Sequence, residues 1–189
     1  MMIVDSHLHL CDIPQVEKGI EVFFSKYDKI RQYSACTSSH SLQDWQNNCH
    51  IINKIRQKYD IDKIIICHSF GIHPQNPDKN ILYDLENLLK YDKLKDKYDK
   101  SDLIYDKSDL IYDNNMTKYD RISAIGEIGF DLFTKEFKST FNEQSEIWNI
   151  QLELAIKYDK PIIVHCRKGM CHIFESIEKL KKIKAVIFH

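Results

Sequence analysis

The segment Val4–Cys11 reads VDSHLHLC, and its two histidines stand at the end of a short apolar run of β type. In a strand, alternate side chains point to the same face, which places His7 and His9 side by side, about 7 Å apart along the strand. Two imidazoles on one face can hold a single metal ion. An H-x-H pair is also short enough to occur by chance on a solvated edge strand, so the pair alone leaves both interpretations open.

The composition is that of an ordinary soluble globular protein. The chain has 189 residues, of which 43% are hydrophobic and 29% are charged, enough for one domain with its own core. A net charge of −1 argues against strong nonspecific adhesion to nucleic acid or anionic membranes. A nucleic-acid substrate would therefore need a local positive site, such as a bound metal.

The location of the protein is predicted from absent signals and from its cysteines. No apolar run approaches the roughly 20 residues of a membrane span, and no signal peptide is visible. The six cysteines form no C-x-x-C pair, so we expect reduced thiols, most of them inert. These features predict a cytoplasmic protein without a membrane partner.

Strand-like runs alternate with helix-like segments along the chain. Apolar residues at three- and four-residue steps predict helices in LQDWQNNCHIINKIRQKY (residues 42–59), EQSEIWNIQLELAIKY (143–158) and CHIFESIEKLKK (171–182). Continuous β-branched runs are typical of strands buried on both faces of a parallel sheet. This alternation predicts an α/β fold, either an open doubly wound sheet or most of a (β/α) barrel. The predicted strands are Ile3–His7, Gln32–Thr37, Lys63–Ser69, Ile122–Glu127, Pro161–Cys166 and Ala185–His189.

One segment, residues 91–121, does not follow this alternation. Its Tyr-Asp dipeptide recurs every seven residues, and DKSDLIY appears twice without change, at Asp99–Tyr105 and Asp106–Tyr112. A period of seven suits a coiled coil, but the fourth position after each tyrosine is mostly polar. We expect a tandem-duplicated loop insertion on the surface of a single domain spanning residues 1–189.

Histidines and one acid gather at the C-terminal ends of the predicted strands. In parallel α/β sheets and barrels this end carries the functional site, and scattered surface histidines would show no such preference. A carboxylate such as Glu127 can bridge two divalent ions, with imidazoles completing each shell, and two such ions are a common device for hydrolysing phosphate esters. The sequence therefore predicts a metal site among the following residues: His7, His9, His68, His73, Glu127, His165 and His189.

Each of these residues also has a structural interpretation. Glu127 is costly to bury in an apolar strand unless it is paired or metal-bound, which favours ligation. His165 taken alone is more typical of a satisfied core histidine, and His68 is expected to be structural. No role is assigned to the histidines that fall on helix or loop segments, namely His40, His50 and His172.

The segments IVDSHLHL, GIHP, AIGEIGFD, QLELA followed by KPIIVHCR, and the terminal FH follow the order and approximate spacing of one family. Over nearly its whole length outside the repeat, the chain resembles the TatD family of metal-dependent hydrolases. The resemblance implies a TIM-barrel fold, a site for two divalent metal ions (Mg, Mn or Zn) and hydrolysis of phosphodiester bonds in DNA.

The resemblance also implies roles for individual residues. His7 and His9 would bind the first ion, Glu127 would bridge both ions, and His165 and His189 would bind the second. Arg167 would lie near the substrate phosphate, as would His73 of the GIHP segment. The ligand set is rich in nitrogen, which suits Zn or Mn better than Ca, and Mg with waters is also compatible.

The chain departs from the family pattern in several places. Cys11 stands where the family usually has an acidic or amide residue, and Gly169 and Cys171 follow H-x-R in place of a small residue and an acid. About six of the eight barrel strands are expected, so the domain is predicted to be truncated at the C-terminus. The acidic residue of the eighth strand, which in the family binds the first ion and handles the proton of the attacking water, is absent.

Two other functions compete with a TatD-like deoxyribonuclease. A related barrel hydrolase of small esters or amides shares the H-x-H strand, although Glu127 stands where such enzymes can carry a carbamylated lysine. An inactive truncated remnant, which folds or binds metal without turnover, is the second alternative.

Overall fold

The six predicted strands form a single parallel sheet. A computed structural model describes residues 2–16, 18–19, 22, 32–59, 64–95 and 121–189. The strands pair in chain order, β1 to β6, and every neighbouring pair is parallel. Parallel neighbours need a crossover between them, which explains the alternation of strands and helices in the sequence. The strands are β1 (Met2–Leu8), β2 (Gln32–Ser39), β3 (Ile64–Phe70), β4 (Ile122–Asp131), β5 (Ile162–Arg167) and β6 (Val186–Phe188).

Helices bury their apolar stripes against this sheet. Helix α1 begins after Ser41, whose hydroxyl accepts a hydrogen bond from the Asp44 amide, and it buries Trp45, Cys49 and Ile52 as the spacing predicts. In the described part of the chain, no helix is both long and apolar enough to cross a membrane. The helices are α1 (Leu42–Lys58), α2 (Ile81–Lys95), α3 (Lys135–Ser139), α4 (Phe141–Lys157), α5 (Met170–Glu175) and α6 (Ile177–Leu180), with a 3-10 turn at Leu10–Asp12.

The prediction of one helix over residues 171–182 is wrong. The segment forms two short helices that meet at Ser176, whose hydroxyl accepts a hydrogen bond from the Trp148 indole at 2.9 Å. Ile173 of the first short helix is buried, whereas Ile177 of the second is 41% exposed, so the two do not share one buried face. The contact of Ser176 with Trp148 is a long-range feature that the local spacing does not show.

The heptapeptide-repeat segment is only partly described. Helix α2 runs to Lys95, so residues 91–95 are helical, while residues 96–120 lie outside the described residues. Asp92, the acid of the first Tyr-Asp pair, is buried and accepts hydrogen bonds from the Ile122 amide at 2.9 Å and from Lys160 at 3.2 Å. The start of the repeat thus ties helix α2 to the first residue of β4.

Five strands end later than the sequence predicts, two of them by more than one residue. Strand β2 continues to Ser39 and strand β4 to Asp131. The prediction that Glu127 ends the fourth strand is therefore wrong, because four more residues of β4 follow it. Apolar Ile128 and Phe130 are buried, and this burial extends the strand beyond the acid.

A bulge in strand β4 accommodates Glu127. Ile125 pairs with Ile162 and Ile128 pairs with Val164, so β4 spans three steps where β5 spans two. Such a bulge bends the strand and re-aims a side chain. Glu127 lies within this irregularity and is only 2% exposed.

Candidate metal centre

One oxygen of the buried Glu127 carboxylate faces histidines from the first two strands. The Oε1 atom lies 3.0 Å from His7 Nε2, 3.3 Å from His9 Nε2 and 3.5 Å from His40 Nε2. His7 belongs to β1, while His9 and His40 directly follow β1 and β2. The strand-end rule therefore places all three at one edge of the sheet.

The other oxygen of Glu127 faces histidines from the later strands. Its Oε2 atom lies 3.5 Å from His165 Nδ1, 3.5 Å from His189 Nε2 and 3.8 Å from His73 Nε2. His165 belongs to β5, His189 follows β6 and His73 lies in the loop after β3. The predicted site residues thus converge on a single carboxylate, although they are spread over the whole chain.

Hydrogen bonds fix which ring nitrogen several histidines turn towards Glu127. His165 donates Nε2–H to Asp131 Oδ2 at 3.2 Å, and His40 donates Nδ1–H to the Gly71 carbonyl at 3.3 Å. The opposite nitrogen of each ring then faces Glu127, where it can bind a cation placed between the ring and the carboxylate. His73 differs, because its Nδ1 accepts the Gln75 amide at 3.2 Å, which leaves the proton on Nε2.

The imidazoles determine the ionisation of this centre. Burial would raise the pKa of Glu127, but the polar contacts with His165, His40 and His7 outweigh it and hold this pKa far below its usual range. The contact with Glu127 raises the pKa of His9. Burial lowers the pKa of His73 to about 3, so this ring is neutral at physiological pH. The carboxylate is therefore charged and able to hold a cation.

The arrangement fits divalent metal ions. Two groups have candidate ligand atoms within 4.8 Å of one another, one formed by His7, His9 and Glu127, the other by His73, Glu127 and His165. The Nε2 atoms of His7 and His9 are 3.0 Å apart, and buried Glu127 Oε1 forms no hydrogen bond of regular geometry with any described residue. Converging nitrogen and oxygen lone pairs of this kind match the preferences of Zn and Mn.

Asp131 links the candidate metal centre to Arg167, the predicted substrate contact. This carboxylate is fully buried, and its Oδ2 atom accepts hydrogen bonds from Gln75 Nε2 at 2.7 Å, His165 Nε2 at 3.2 Å and Arg167 Nη1 at 3.4 Å. Burial alone would raise the pKa of Asp131, but these bonds and the Phe133 amide lower it. Asp131 therefore orients the His165 ring and the Arg167 guanidinium together.

Two buried glutamines of helix α4 position the strand ends that carry the site. Gln144 Oε1 accepts the Asp131 amide at 2.9 Å, and its Nε2 donates to the Asp131 carbonyl at 3.1 Å. Gln151 Oε1 accepts the Ile72 amide at 2.8 Å, next to His73. Helix α4 thus satisfies backbone groups that the sheet leaves unpaired.

A close approach of two strands also depends on one glycine. Gly129 has a φ of 137°, and a Cβ at this position would lie 2.2 Å from the His165 carbonyl oxygen. A side chain would therefore separate β4 from β5 at the level of the site. Gly129, the second glycine of the GEIG segment, is therefore required because it pairs with the candidate ligand His165 on the neighbouring strand β5.

The structure brings together every residue of the predicted site except His68. That residue is fully buried with its ring 4.8 Å from the Trp45 ring of helix α1, in agreement with the structural role expected for it. His50 is exposed on helix α1, and His172 contacts the Phe141 ring at 4.6 Å. Neither of these two rings joins the cluster around Glu127.

Sequence reasoning missed two residues of this site, His40 and Asp131. Both directly follow or end a strand, so the strand-end rule would have found them. The prediction ended β2 at Thr37 and β4 at Glu127, which left His40 in a helix or loop segment and Asp131 beyond the strand. Both residues could have been found from their position at strand ends, but the predicted strands stop before them.

Comparisons with known proteins agree with this architecture. The family model described as TatD related DNase matches residues 4–189. An uncharacterized metal-dependent hydrolase of Buchnera aphidicola is 26% identical over 199 residues, which cover 99% of this chain and 61% of that protein. An uncharacterized metal-dependent hydrolase of Mycoplasma pneumoniae is 35% identical over 69 residues, which cover 36% of this chain and 25% of that protein.

A solved structure shows the same fold. The crystal structure of YjjV, a TatD homologue from Escherichia coli K12, matches with a TM-score of 0.54 at 18% sequence identity. The match covers 95% of this chain and 63% of that chain, so this chain spans about three fifths of the length of these longer relatives. It confirms the predicted α/β fold of TIM-barrel type, with six strands in the barrel sheet. Because the family model extends over nearly all of the sequence, the chain belongs to the family of TatD related DNases.

Proposed function

We propose that this chain carries the metal centre of a hydrolase that cleaves phosphodiester bonds in DNA at a two-metal site. One observation carries the proposal: each oxygen of the buried Glu127 carboxylate faces its own set of imidazoles. A carboxylate so placed is suited to bridge two cations. The metal-dependent hydrolases among the relatives and the family description support the reaction class.

The residues divide between two ion positions. His7 and His9 would hold one ion with Glu127 Oε1, and His165 and His189 would hold the other with Oε2. When bound, divalent ions such as Mg, Mn or Zn would activate a water molecule and neutralise charge on the phosphodiester. The protein contributes the spacing of the ligands, which bonds such as that from Asp131 to His165 fix in advance.

His73 and Arg167 are suited to hold the substrate phosphate. The proton on His73 Nε2 can be donated to a phosphate oxygen, because Nδ1 of this ring is occupied by the Gln75 amide. Arg167 is 42% exposed and is held at its inner end by Asp131. Both groups would orient the phosphodiester beside Glu127 without taking part in proton transfer.

Metal titration and hydrolysis by the purified chain test this function. After treatment with EDTA, we expect calorimetric titration with Mn²⁺ or Zn²⁺ to show two ions per chain, and a single-stranded oligonucleotide to be cleaved only when metal is present. Glu127→Gln removes the bridging charge and is expected to lower cleavage by at least about a hundredfold. Glu153→Gln makes the same change at an exposed pair with Lys179 and should leave activity unchanged.

A panel of small esters and amides separates this proposal from the competing one. Faster turnover of these compounds than of the oligonucleotide would favour a small-molecule hydrolase. Metal binding without turnover of any substrate would favour an inactive remnant.

The predicted cytoplasmic location is supported by six free cysteines, which suit a reducing compartment.

A further inference from the structure

A cleft opens beside the metal centre, at the edge of the sheet where the strands end. Its volume is about 410 Å³, comparable to many small-molecule sites. Leu132 follows β4, Lys138 belongs to α3, and Phe141 starts α4, while Lys168 and His172 come from the segment after β5. We call this feature the rim cleft; it is lined by Leu132, Lys138, Phe141, Lys168 and His172.

The two lysines of the rim cleft have no acidic partner among the described residues. Neither Lys138 nor Lys168 forms an ion pair with a carboxylate in the part of the chain that the structure describes, and both are exposed. Five other exposed lysines are instead neutralised by neighbouring acids, namely Lys79, Lys157, Lys179, Lys181 and Lys184. The rim cleft therefore carries two lysines that no described acid neutralises, on a chain whose net charge is −1.

The backbone holds Lys168 in place. Its φ of 58° lies in the left-handed region, and the next residue, Gly169, packs so closely that a Cβ would lie 2.5 Å from Phe130 Cβ. The Phe133 ring contacts both cations, with its centroid 4.2 Å from Arg167 Cζ and 4.7 Å from Lys168 Nζ. The turn thus places two adjacent positive charges against one aromatic ring.

The rim cleft adjoins the candidate metal centre along the chain, because Leu132 follows Asp131 and Lys168 follows Arg167. The Leu132 amide donates to the Arg167 carbonyl at 2.8 Å, and Arg167 reaches Asp131, which in turn bonds to His165. A strand whose phosphodiester lies at Glu127 and Arg167 would next reach Lys168. The rim cleft therefore lies where a neighbouring nucleotide would be.

We propose that the rim cleft binds the nucleotide that flanks the scissile phosphodiester of a single-stranded DNA substrate. This inference rests on the proposed function. The flanking phosphate would contact Lys138 and Lys168, and the base would pack on Phe141 and Leu132. Unpaired cations next to an aromatic wall are the combination that binds single strands without regard to sequence.

Binding of a short fluorescein-labelled single-stranded oligonucleotide in EDTA tests the proposal without hydrolysis. The double variant Lys138→Gln, Lys168→Asn removes both charges, and asparagine tolerates the left-handed backbone. We expect affinity at low salt to fall at least tenfold, and the slope of log K against log salt to decrease by about 0.7, the amount expected for the loss of one phosphate contact. The control variant Lys181→Gln, Lys184→Asn removes two charges that precede β6, at the start of the strand and not at the strand ends that carry the site. It should bind the oligonucleotide like the wild type.

Metal-loaded assays separate failure of this inference from failure of the function. The double variant should hydrolyse bis(p-nitrophenyl) phosphate, which has no flanking nucleotide, at the wild-type rate, while its kcat/KM on the oligonucleotide falls at least tenfold. Equal oligonucleotide binding by the wild type and the double variant would overturn the rim-cleft proposal, as would an equal loss in the control. If the wild type cleaves neither diester, the proposed function fails, and the binding comparison still decides whether the cleft holds DNA.

Discussion

At the scale of single residues, the structure assigns importance to Asp131, a buried carboxylate that the metal groups do not include. Its bond to His165 Nε2 keeps a proton on that nitrogen, so that Nδ1, which faces Glu127, is the nitrogen available to bind a cation. Carboxylates behind metal-binding histidines typically set both the tautomer and the basicity of the ring. Asp131 is thus a positioning residue whose effect should be seen in metal affinity.

We predict that Asp131→Asn weakens metal binding by about 10- to 100-fold while the protein stays folded. The amide of the new side chain can donate to His165 Nε2, which favours the tautomer with its proton on Nδ1. Calorimetric titration with Zn²⁺ measures the effect. Asp159→Asn, at an exposed pair with Lys184, provides the matched comparison. Equal Zn²⁺ affinities of Asp131→Asn and the wild type would refute this role.

The cysteines offer a residue-scale prediction that depends on pH. Burial raises the pKa of Cys36 to about 11, above the ordinary value of the thiol, with Ser69 opposing the shift only in part. Because the thiolate is the reactive form, iodoacetamide at pH 8 should modify exposed Cys171 first and Cys36 slowly. Peptide mass spectrometry over time measures both rates. Cys36 labelling should speed up towards pH 11, and equal rates at pH 8 would contradict the prediction.

At the scale of elements, helix α4 does more than cover the sheet. Its buried face combines apolar side chains such as Trp148 and Leu152 with Gln144 and Gln151, whose amides bind backbone groups at the ends of β4 and β3. A periodic apolar stripe predicts that the helix packs on the sheet, but it does not predict the hydrogen bonds from the two glutamines to the strand ends. The helix is therefore also a support for the site.

We predict that Gln144→Leu lowers the free energy of unfolding by about 1–3 kcal/mol. The volume is nearly conserved, but the amide and carbonyl of Asp131 lose their partners in a buried position. Chemical denaturation measures the change. Gln43→Leu makes the same substitution at an exposed site of helix α1, and it should have little effect. Similar stabilities of the two variants would show that these bonds contribute nothing.

At the scale of the whole molecule, the candidate metal centre joins distant parts of the chain. His7 and His189 lie near opposite ends of the sequence, yet their ring centroids are 4.1 Å apart, and both rings approach Glu127 of β4. A cation held by these groups would favour the folded state over the unfolded one. Metal binding should therefore be visible as global stability.

We predict that Zn²⁺ at about a hundred times its Kd stabilises the chain by roughly 2.7 kcal/mol, and that EDTA reverses the effect. For a domain of this size, the melting temperature would rise by roughly 5–11 °C. Differential scanning fluorimetry measures the shift. The gain should be lost in Glu127→Gln and kept in His50→Gln, whose ring is exposed on helix α1. A shift that persists in Glu127→Gln would place the metal elsewhere.

Local pattern in the sequence determined the elements and much of the site. Continuous β-branched runs and helical spacing predicted six parallel strands and the stripe of helix α1, because burial on both faces of a sheet or on one face of a helix leaves a local periodicity. Since parallel strands end at a common edge, His7, His9 and His165 could also be predicted to meet.

Only the tertiary structure decided features that depend on contacts between distant residues. The bulge that contains Glu127 depends on the pairing of β4 with β5, and Trp148 of another helix binds the Ser176 hydroxyl where the C-terminal helix is broken. His40 joined the site because β2 extends to Ser39, beyond the boundary that local propensity indicates. Strand ends and side-chain directions are set by packing against neighbours far apart in the chain, and a local pattern carries no record of those neighbours.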